Sequence, residues 1–367
     1  MKIIFYDYHF LIQKFGGVSR YYYEIIKKLK KKKFPYKILA LISFNYYIKK
    51  NKSNLLYINS SKNIKNFFLL VNKLYFKLMC IILNPKIIHF TEYNHLLINF
   101  KKISILTVYD FILEDFMKIN EINKKKILIK NKCIQKANYL FTISKTVHNK
   151  IKKKFPKKRI FVTPLGVDHK IFYPDKIENL SICKIPNKNY LLFVGSRLDY
   201  KNFKMLLECY VKFSNLNDKY NLVIFGGEND LSDVNYHYMY GKKIFHVCGD
   251  DSLLRKLYSN TTLYINPSLD EGFGLPILEA MACKSPILCS DIDIFKEVTE
   301  GNSFYFDPKS KKDLLKKLSQ LNNKKKNFNI YTEKAYKLSL NKSWDNVSNS
   351  IIEVYNVIFK ENNVFNK

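Results

Sequence analysis

Two carboxylates flank a glycine-rich turn in the segment DEGFGLPILEAMACKSPI, which runs from Asp270 to Ile287. Glu271 precedes the turn and Glu279 lies eight positions further on. Gly272 and Gly274 allow a tight turn, and the proline that follows suits the first turn of a helix, whose N–H groups are unpaired. The pattern predicts an anion cradle, beside which both carboxylates can accept hydrogen bonds from sugar hydroxyls. A simpler alternative is that Glu279 only interacts with the dipole of its own helix.

A pair of cations stands in the segment FVGSRLDYKNF, after a predicted strand end and a small-residue turn. Arg197 and Lys201 are four positions apart. A diphosphate leaving group needs cations that take up charge as its bond breaks, and this pair could supply them. The alternative is a solvated loop with an ordinary salt bridge.

A second glycine turn, in FGGVSRYYYEI, precedes a helix predicted to begin near Ser19. Gly16 and Gly17 let backbone N–H groups approach a phosphate there. The turn does not have the spacing G-x-G-x-x-G, and the chain has no G-x-x-x-x-G-K-[ST] motif. The sequence therefore indicates neither a dinucleotide fingerprint nor a P-loop.

These segments lie among β-rich runs that alternate with amphipathic helical stretches, which is typical of parallel sheets covered by helices. The predicted strands of the first half are KIIFYD, YKILALIS, IIHFTE, SILTVYD, YLFTIS and IFVTPLG. Those of the second half are YLLFVGS, NLVIFGG, KIFHVCG, LYINPS, PILCSD and SFYFDP. Two doubly wound units in tandem fit this order, with a seam between residues 172 and 189 and a cleft between facing sheets.

Helices are predicted from the periodicity at residues 19–32, 124–137, 203–216, 252–259, 276–282 and 311–321. The stretch from Trp344 to Phe359 has a helical apolar stripe that must pack on something. We expect three parts: an N-terminal Rossmann-like domain over residues 1–175, a C-terminal one over 186–343, and a helix in 344–367 that packs back toward the first.

The net charge of +32 is unevenly distributed over the 367 residues. Residues 1–175 contain 36 Lys or Arg and 9 Asp or Glu, against 27 and 22 in residues 176–367. A basic first half suggests an anionic partner, such as nucleic acid, anionic lipid or a phosphate-bearing substrate. A general lysine bias is an equally good explanation of the total, though not of the asymmetry. Only four of the basic residues are arginines, which disfavours sequence-specific reading of nucleic acid.

Other features of the composition limit the class of protein. The seven cysteines include no C-x-x-C pair, which argues against a disulfide framework and a structural zinc site. The amino terminus lacks a signal-peptide pattern, so we expect a cytoplasmic protein. The apolar window from Phe67 to Leu83 is interrupted by Asn72, Lys73 and Lys77, which disfavours a membrane span and leaves open a helix at a membrane surface.

Together these motifs resemble the GT-B glycosyltransferases, specifically glycosyltransferase family 4, with its "glycosyl transferases group 1" domain. The resemblance runs over almost the whole chain through GGVSRY, TVYDF, FTISK, VTPLGVDHKIFYP, GSRLDYKN, YINPSLDEGFGLPILEAMACKSPILCSD and the Ser343-Trp344 pair. It implies an α/β protein of the GT-B fold, with two Rossmann-like doubly wound domains facing across a cleft. It also implies retaining transfer of a sugar from a nucleotide-diphosphate sugar, which is a co-substrate, with no cofactor.

The resemblance also implies roles for individual residues. Arg197 and Lys201 would stabilise the donor diphosphate, and Glu271 would contact hydroxyls of the donor sugar. Glu279 would hold the ribose. The remaining donor contacts would come from Gly17 on the opposite domain and from the loop residues Gly272, Phe273, Gly274 and Leu275.

The sequence departs from the family at TVYDF, where many members have a histidine in place of Tyr109. Tyrosine, with a usual pKa of about 10, is a poor acid or base near neutral pH. This puts histidine-assisted chemistry in doubt, although Tyr109 can still donate a hydrogen bond to a sugar hydroxyl at the reacting centre. We expect Asp110 at that centre too, sharing the acceptor-side role with His89 unless His89 is a structural residue. Asp291 and Asp293 match a D-x-D pattern, but cations for the diphosphate are already present, so no metal is expected.

The resulting prediction is a hexosyltransferase acting from a GDP-mannose-like or UDP-sugar donor on a glycan or lipid-linked acceptor in surface polysaccharide or glycoconjugate synthesis. Its basic first half would contact an anionic membrane from the cytoplasmic side, or an acidic polysaccharide. The alternatives are a catalytically impaired nucleotide-sugar-binding relative, a basic nucleic-acid-binding protein, and a nucleotide-sugar epimerase.

Overall fold

The computed structural model describes residues 3–6, 11, 13, 16–45, 47, 56–57, 65–116, 120–175, 189–216, 219–226, 244–321 and 325–362. The chain divides into two compact units. The first unit is formed by Met1–Glu114, Lys118–Leu165 and Trp344–Lys367, and the second by Asp115–Met117 and Gly166–Ser343. The predicted seam between the domains, at residues 172–189, lies partly outside the described residues. In the structure the long segment of the second unit begins earlier, at Gly166.

The first unit alternates strands and helices. Its strands are β1 (Ile3–Tyr6), β2 (Tyr36–Ile38), β3 (Ile42–Ser43), β4 (Leu56–Tyr57), β5 (Ile87–Phe90), β6 (Ile103–Val108), β7 (Tyr139–Thr142) and β8 (Arg159–Val162). Its helices are α1 (Gly17–Lys31), α2 (Lys65–Leu83), α3 (His95–Ile98), α4 (Ile112–Asp115), α5 (Glu121–Lys136), α6 (Lys145–Lys154) and, at the end of the chain, α13 (Trp344–Glu361).

Six of these strands form one parallel sheet in the order β2-β1-β5-β6-β7-β8. The strand order reverses between β1 and β5, and ligands of open parallel sheets bind beyond the carboxyl ends of the strands at such a point. The strands β5 and β7 are buried along their whole length, as expected for a sheet covered on both faces.

The predicted strand YKILALIS is two strands in the structure, β2 in the large sheet and β3 in a separate pair with β4. The reason is a side chain from α2. The Asn72 carboxamide accepts hydrogen bonds from the N–H groups of Leu41 and Ile42, both at 3.0 Å, and donates to the carbonyl of Ile42 at 2.9 Å. These bonds take up backbone groups that would otherwise extend the first strand.

The apolar stripe of α13 packs inside the first unit, against α1 and the sheet. Tyr355 and Phe359 stack on Phe34, with ring centroids 6.1 and 6.0 Å apart. Asp345 at the start of α13 pairs with Lys28, and Glu361 at its end pairs with Arg159. The terminal helix therefore belongs to the unit that contains the first residues of the chain.

The second unit repeats the same architecture. Its strands are β9 (Tyr190–Val194), β10 (Asn221–Phe225), β11 (Ile244–Val247), β12 (Leu263–Asn266), β13 (Ile287–Ser290) and β14 (Phe304–Phe306). Its helices are α7 (Phe203–Leu216), α8 (Asp251–Asn260), α9 (Leu275–Ala282), α10 (Asp293–Thr299), α11 (Lys311–Ser319) and α12 (Lys325–Asn341). The predicted helices do not include α3, α4, α6, α10 or α12. Of these, α12 packs on the buried helix α9.

The second sheet is parallel, with the order β11-β10-β9-β12-β13-β14. Numbered within the unit, this is the 3-2-1-4-5-6 order of a doubly wound Rossmann sheet. Its strand order reverses between β9 and β12. The loops that follow these two strands carry the predicted cations and carboxylates, so the topology brings both motifs to one edge of the sheet.

Candidate functional site

The site in the second unit is built from the loops after β9 and β12. The β9 loop ends in a short 3-10 helix, Asp199–Lys201, and the β12 loop leads into α9. A backbone hydrogen bond of 2.7 Å from the N–H of Leu269 to the carbonyl of Tyr200 joins the loops. This bond fixes the cation-bearing turn against the carboxylate-bearing turn.

Lys201 and Glu271 form an ion pair across the two loops. The Lys201 Nζ lies 2.5 Å from Glu271 Oε1, and the side chains are only 13% and 11% exposed. Ser268 Oγ lies 2.9 Å from the same Oε1 and 2.8 Å from Oδ1 of Asn266, and its single proton can be donated to either oxygen. Both contacts of the Glu271 side chain are at Oε1, which leaves Oε2 for a ligand hydroxyl. Ser268 was not among the predicted site residues, although it stands three positions before Glu271 on the same loop.

Arg197 lies at the same edge of the sheet, toward β10 and β11. Its Nη1 donates to the carbonyl of Gly226 at 3.3 Å, and Nε2 of His246 lies 3.0 Å from the same oxygen. Arg197 is half-buried, and its Nη1 is 3.4 Å from the His246 ring nitrogen. His246 was not among the predicted site residues, because its position within β11 reads as an ordinary strand residue.

The glycine turn before α9 adopts the conformation that its sequence predicts. Gly274 has φ +96°, and a Cβ there would lie 3.1 Å from Cε1 of Phe295. The backbone angle therefore favours glycine, and a Cβ would in addition require the Phe295 ring to shift slightly. Leu275 begins α9, whose first turn also contains a proline. Gly272 and Phe273 lie between Glu271 and this helix start, and Phe273 is buried.

Glu279 lies on α9 with 5% exposure. The hydroxyl of Tyr258, on α8, donates to Glu279 Oε2 at 3.4 Å. Burial raises the pKa of Tyr258 well above its usual value, and Tyr264 and Glu279 add to the shift. The tyrosine hydroxyl therefore stays protonated and available as a donor. Tyr258, which the sequence analysis missed, positions this carboxylate.

Gly17, the predicted phosphate contact of the first unit, is the first residue of α1 and is exposed. A Cβ at Gly17 would have no neighbour within 4 Å, so the space around it is open. At Gly16 a Cβ would come 2.6 Å from Oε1 of Gln13, which also accepts from the N–H of Ser19 at 3.2 Å. The start of α1 thus has free space at Gly17 but not at Gly16. The phosphate contact of Gly17 stays a prediction.

Tyr109 does not have the exposed position that a residue at the reacting centre needs. Its side chain is 7% exposed, and its hydroxyl donates to the carbonyl of Thr91 at 2.7 Å. The hydroxyl of Tyr22 lies 3.1 Å away. Burial raises the pKa of Tyr109 well above 10. The structure assigns this hydroxyl to the interior of the unit, so the expected catalytic role is not supported.

His89 is likewise an interior residue, with 0% exposure. Its Nδ1 lies 2.7 Å from the Tyr355 hydroxyl of α13, and its Nε2 lies 2.8 Å from Oγ1 of Thr107. Burial lowers its pKa to about 3. The acceptor-side role does not fit a neutral ring with both nitrogens engaged in the core, so His89 is the structural residue that was the alternative.

Asp110 is partly exposed at the carboxyl end of β6. Its Oδ1 accepts from the N–H of Ile112 at 3.2 Å, and its carbonyl accepts from Lys130 Nζ at 2.5 Å. Lys130 also pairs with Glu114, at 3.0 Å. Asp110 thus lies at the carboxyl-terminal edge of the first sheet, and its catalytic or acceptor-side role stays a prediction.

Within the described ranges, no group of three or more His, Cys, Asp or Glu side chains is placed to hold a metal ion. Of the D-x-D pair, Asp291 forms an ion pair with Lys296, and Asp293 begins α10. Neither aspartate forms part of the Lys201–Glu271 contact.

Solved structures with this fold cover nearly the whole chain. The sucrose-phosphate synthase of Thermosynechococcus elongatus has a TM-score of 0.78 at 15% identity, over 98% of this chain and 100% of that one. HepE of Anabaena in complex with UDP-glucose has a TM-score of 0.76 at 14% identity, over 97% and 100%. With two parallel Rossmann-like sheets in its two units, the chain has the GT-B fold.

Sequence similarity relates the second unit and its surroundings to known glycosyltransferases. Residues 176–338 match the family described as glycosyl transferases group 1. The O-antigen chain mannosyltransferase RfbU of Salmonella typhimurium is 29% identical over 210 residues, 54% of this chain and 56% of that protein. A probable sucrose-phosphate synthase of Thermosipho melanesiensis is 30% identical over 233 residues, 59% and 51%. The alignments thus span about half of these relatives' lengths.

Proposed function

We propose that the protein is a retaining, metal-independent hexosyltransferase that uses a nucleotide-diphosphate sugar as donor. The observation that carries the proposal is the Lys201–Glu271 pair at the reversal point of the second sheet, beside the glycine turn of α9. A cation for the diphosphate and a carboxylate for sugar hydroxyls are thereby held next to an anion-binding helix start.

The proposed chemistry follows from these positions. Lys201 and Arg197 take up the charge that develops on the diphosphate as the bond between the anomeric carbon and the phosphate oxygen breaks. Oε2 of Glu271 accepts a hydrogen bond from a hydroxyl of the donor sugar, and Glu279 holds the ribose. The acceptor hydroxyl forms the new bond to the anomeric carbon and gives its proton to the departing phosphate. No protein base is required, which is consistent with the buried hydroxyl of Tyr109.

The similar proteins limit the donor and acceptor classes in the proposal. RfbU is an O-antigen chain mannosyltransferase, and the HepE structure contains UDP-glucose. We therefore propose a hexose donor carried on GDP or UDP, a glycan or lipid-linked acceptor, and a role in surface polysaccharide or glycoconjugate synthesis. We also propose that the protein works in the cytoplasm, at the inner face of a membrane.

Thermal shift with UDP-, GDP-, ADP- and dTDP-sugars tests the donor site. We expect one base to raise the melting temperature, and Arg197→Ala and Glu279→Ala to remove that rise. The matched control is Arg255→Ala, whose guanidinium pairs with Asp175 at 2.9 Å in the same unit and should leave the ligand shift unchanged. A donor shift that survives both site substitutions would contradict the proposed binding mode.

Turnover separates a transferase from a binding protein. Slow hydrolysis of the stabilising donor without acceptor, insensitive to chelator, is expected of an active enzyme. Proton NMR of the released sugar before mutarotation would show retention of the anomeric configuration. Binding without hydrolysis or transfer would favour the catalytically impaired alternative, while stabilisation by nucleic acid alone would refute the proposal.

A further inference from the structure

The outer face of α2 is apolar and exposed, the reverse of the usual surface helix. Its large exposed side chains, each between 52% and 78% exposed, are Phe67, Leu70, Leu74, Leu78, Ile81 and Ile82. At 3.6 residues per turn they form one stripe along the helix. Among the described residues, Asn66–Leu83 is the one helical window long and apolar enough to cross a membrane, with a mean hydropathy of 1.6 and 11% of the window buried.

The orientation of α2 is fixed by its inner face. Asn72 is 2% exposed and makes three hydrogen bonds to the backbone of Leu41 and Ile42. Phe76, one turn further, is 3% exposed and packs on Phe90 of β5, with ring centroids 6.0 Å apart. Turning the helix to bury its stripe would break these hydrogen bonds and leave buried polar groups inside the unit without partners.

Positive charge surrounds this stripe. Lys73 and Lys77 are exposed on α2 itself. Just beyond the end of the helix, a cavity of about 510 Å³ is lined by Asn84 and by four lysines, which are Lys86, Lys101, Lys102 and Lys136. These lysines precede β5, β6 and β7, so the cavity lies at the amino-terminal edge of the first sheet, opposite its carboxyl-terminal edge.

The cavity and the stripe are contiguous. Lys102 donates to Oδ1 of Asn84, the residue that follows α2. Burial raises the pKa of the Cys80 thiol, in the last turn of α2, to about 11, and the nearby Lys102 ammonium opposes this shift. The lysines therefore lie against the end of the helix that carries Ile81 and Ile82.

We propose that the outer face of α2 and the four-lysine cavity form one docking surface for an anionic phospholipid bilayer. The apolar stripe inserts at the boundary between headgroups and acyl chains, and the lysines bind lipid phosphates. This inference gives a structural basis to the proposed location at the inner face of a membrane, and it does not depend on the sugar-transfer chemistry. A second copy of the chain is a poorer occupant, because its own lysines would meet these lysines across the interface.

The same residues argue against a membrane-spanning helix. A span would place Lys73 and Lys77 in the hydrocarbon layer, where each charge is costly. It would also withdraw Asn72 and Phe76 from their contacts in the unit. A helix lying flat in the interface keeps its inner face on the protein and exposes only the stripe to lipid.

Flotation of the full chain with vesicles tests the proposal. We expect binding to vesicles of equal parts phosphatidylglycerol and phosphatidylcholine, weaker binding to pure phosphatidylcholine, and a loss of affinity with rising salt. The double substitution Leu74→Gln/Leu78→Gln should lower the partition coefficient about tenfold or more, since two large apolar side chains no longer insert. Lys86→Gln/Lys102→Gln should lower it about tenfold and flatten the salt dependence.

The matched control is Ile330→Gln, which changes a side chain 50% exposed on α12 of the second unit. It should bind vesicles like the wild type, and all variants should keep the wild-type circular dichroism spectrum because the changed positions are exposed. Unchanged vesicle binding by the α2 variant overturns the proposal. Failure of the wild type to bind any vesicle also overturns the proposal. If the wild type instead forms a dimer that the α2 variant dissociates, the surface binds a second copy of the chain.

Discussion

Replacing Lys201 by Met, Glu271 by Gln, and both together isolates the interaction between the two side chains at the proposed donor site. Both substitutes keep nearly the volume of the original side chain and remove its charge. Glu271→Gln leaves the Lys201 ammonium, which is nearly nine-tenths buried, beside a neutral amide. Lys201→Met leaves the Glu271 carboxylate without its cation, with the Ser268 hydroxyl still near it. Each single change should therefore destabilise the second unit.

The magnitude follows from the burial of the pair. At an effective dielectric of about 20, two unit charges 4 Å apart attract by about 4 kcal/mol. The cost of taking both charges out of water cancels much of this attraction. With side chains 13% and 11% exposed, we expect about 2–4 kcal/mol lost for Glu271→Gln and a coupling free energy of about 1–3 kcal/mol in the double-mutant cycle.

Urea unfolding followed by two probes gives the assay. Trp344, the single tryptophan, belongs to the first unit, whereas far-ultraviolet circular dichroism reports both units. Changes at Lys201 and Glu271 should shift the circular dichroism transition at least as far as the tryptophan transition. A second cycle on Lys284 and Glu333, which pair at 2.8 Å with side chains 33% and 53% exposed, is the control and should give a coupling of about 0.5 kcal/mol or less.

A coupling free energy for Lys201 and Glu271 no larger than that of the exposed control pair would refute this prediction. That result would mean that burial adds nothing to the ion pair. It would also remove the argument that the pair is held in place before the donor binds. A large coupling with no effect of Glu271→Gln on donor binding would make the pair purely structural.

Three further predictions concern single residues. Gly274→Ala should lower the free energy of unfolding of the second unit by about 2–4 kcal/mol, because φ is +96° and the new Cβ meets Phe295. The control Gly301→Ala, with φ +78° and open space around the new Cβ, should lower it by only about 1–2 kcal/mol. Equal losses for both variants in urea denaturation would contradict the packing argument. Tyr109→Phe should lower the melting temperature, because it removes a buried hydrogen bond that contributes about 1 kcal/mol. Its rate of donor hydrolysis should stay within a few-fold of the wild-type rate. A loss of turnover without a loss of stability would restore the catalytic role of Tyr109. The pKa of His89 is about 3 in the folded protein and about 6.5 in the unfolded chain. Its contribution to the free energy of unfolding is therefore fully present above pH 6.5 and falls by about 1.4 kcal/mol per pH unit below that value. In curves of stability against pH, His89→Gln should be less stable than the wild type at pH 7 and should show a flatter decline toward acid.

Much of the fold could be predicted because it depends on local pattern. Runs such as YLLFV and NLVIF are short, apolar and β-branched or aromatic, and they became β9 and β10. The glycine turn at Gly274 was predictable because a positive φ restricts the choice of residue at that position. The long helix α12 was missed because its apolar residues do not form a regular stripe, and its burial comes from packing on α9.

The site was predictable only in part, since exposure is not encoded in any short window. His89 and Tyr109 stand at or near strand ends, as catalytic residues of parallel sheets do. They became core residues because α1 and α13 bring Tyr22 and Tyr355 against them. His246 and Tyr258 were missed because their partners, Arg197 and Glu279, come from distant parts of the sequence.

The sequence by itself indicated the candidate residues of the proposed donor site, because charge, glycine conformation and strand periodicity are properties of single residues and their near neighbours. Only the tertiary structure decided that Lys201 lies against Glu271, seventy positions away, since the strand order places the ends of β9 and β12 side by side. It also decided that α2 turns its apolar stripe outward, because the three hydrogen bonds of Asn72 hold the opposite face against the protein.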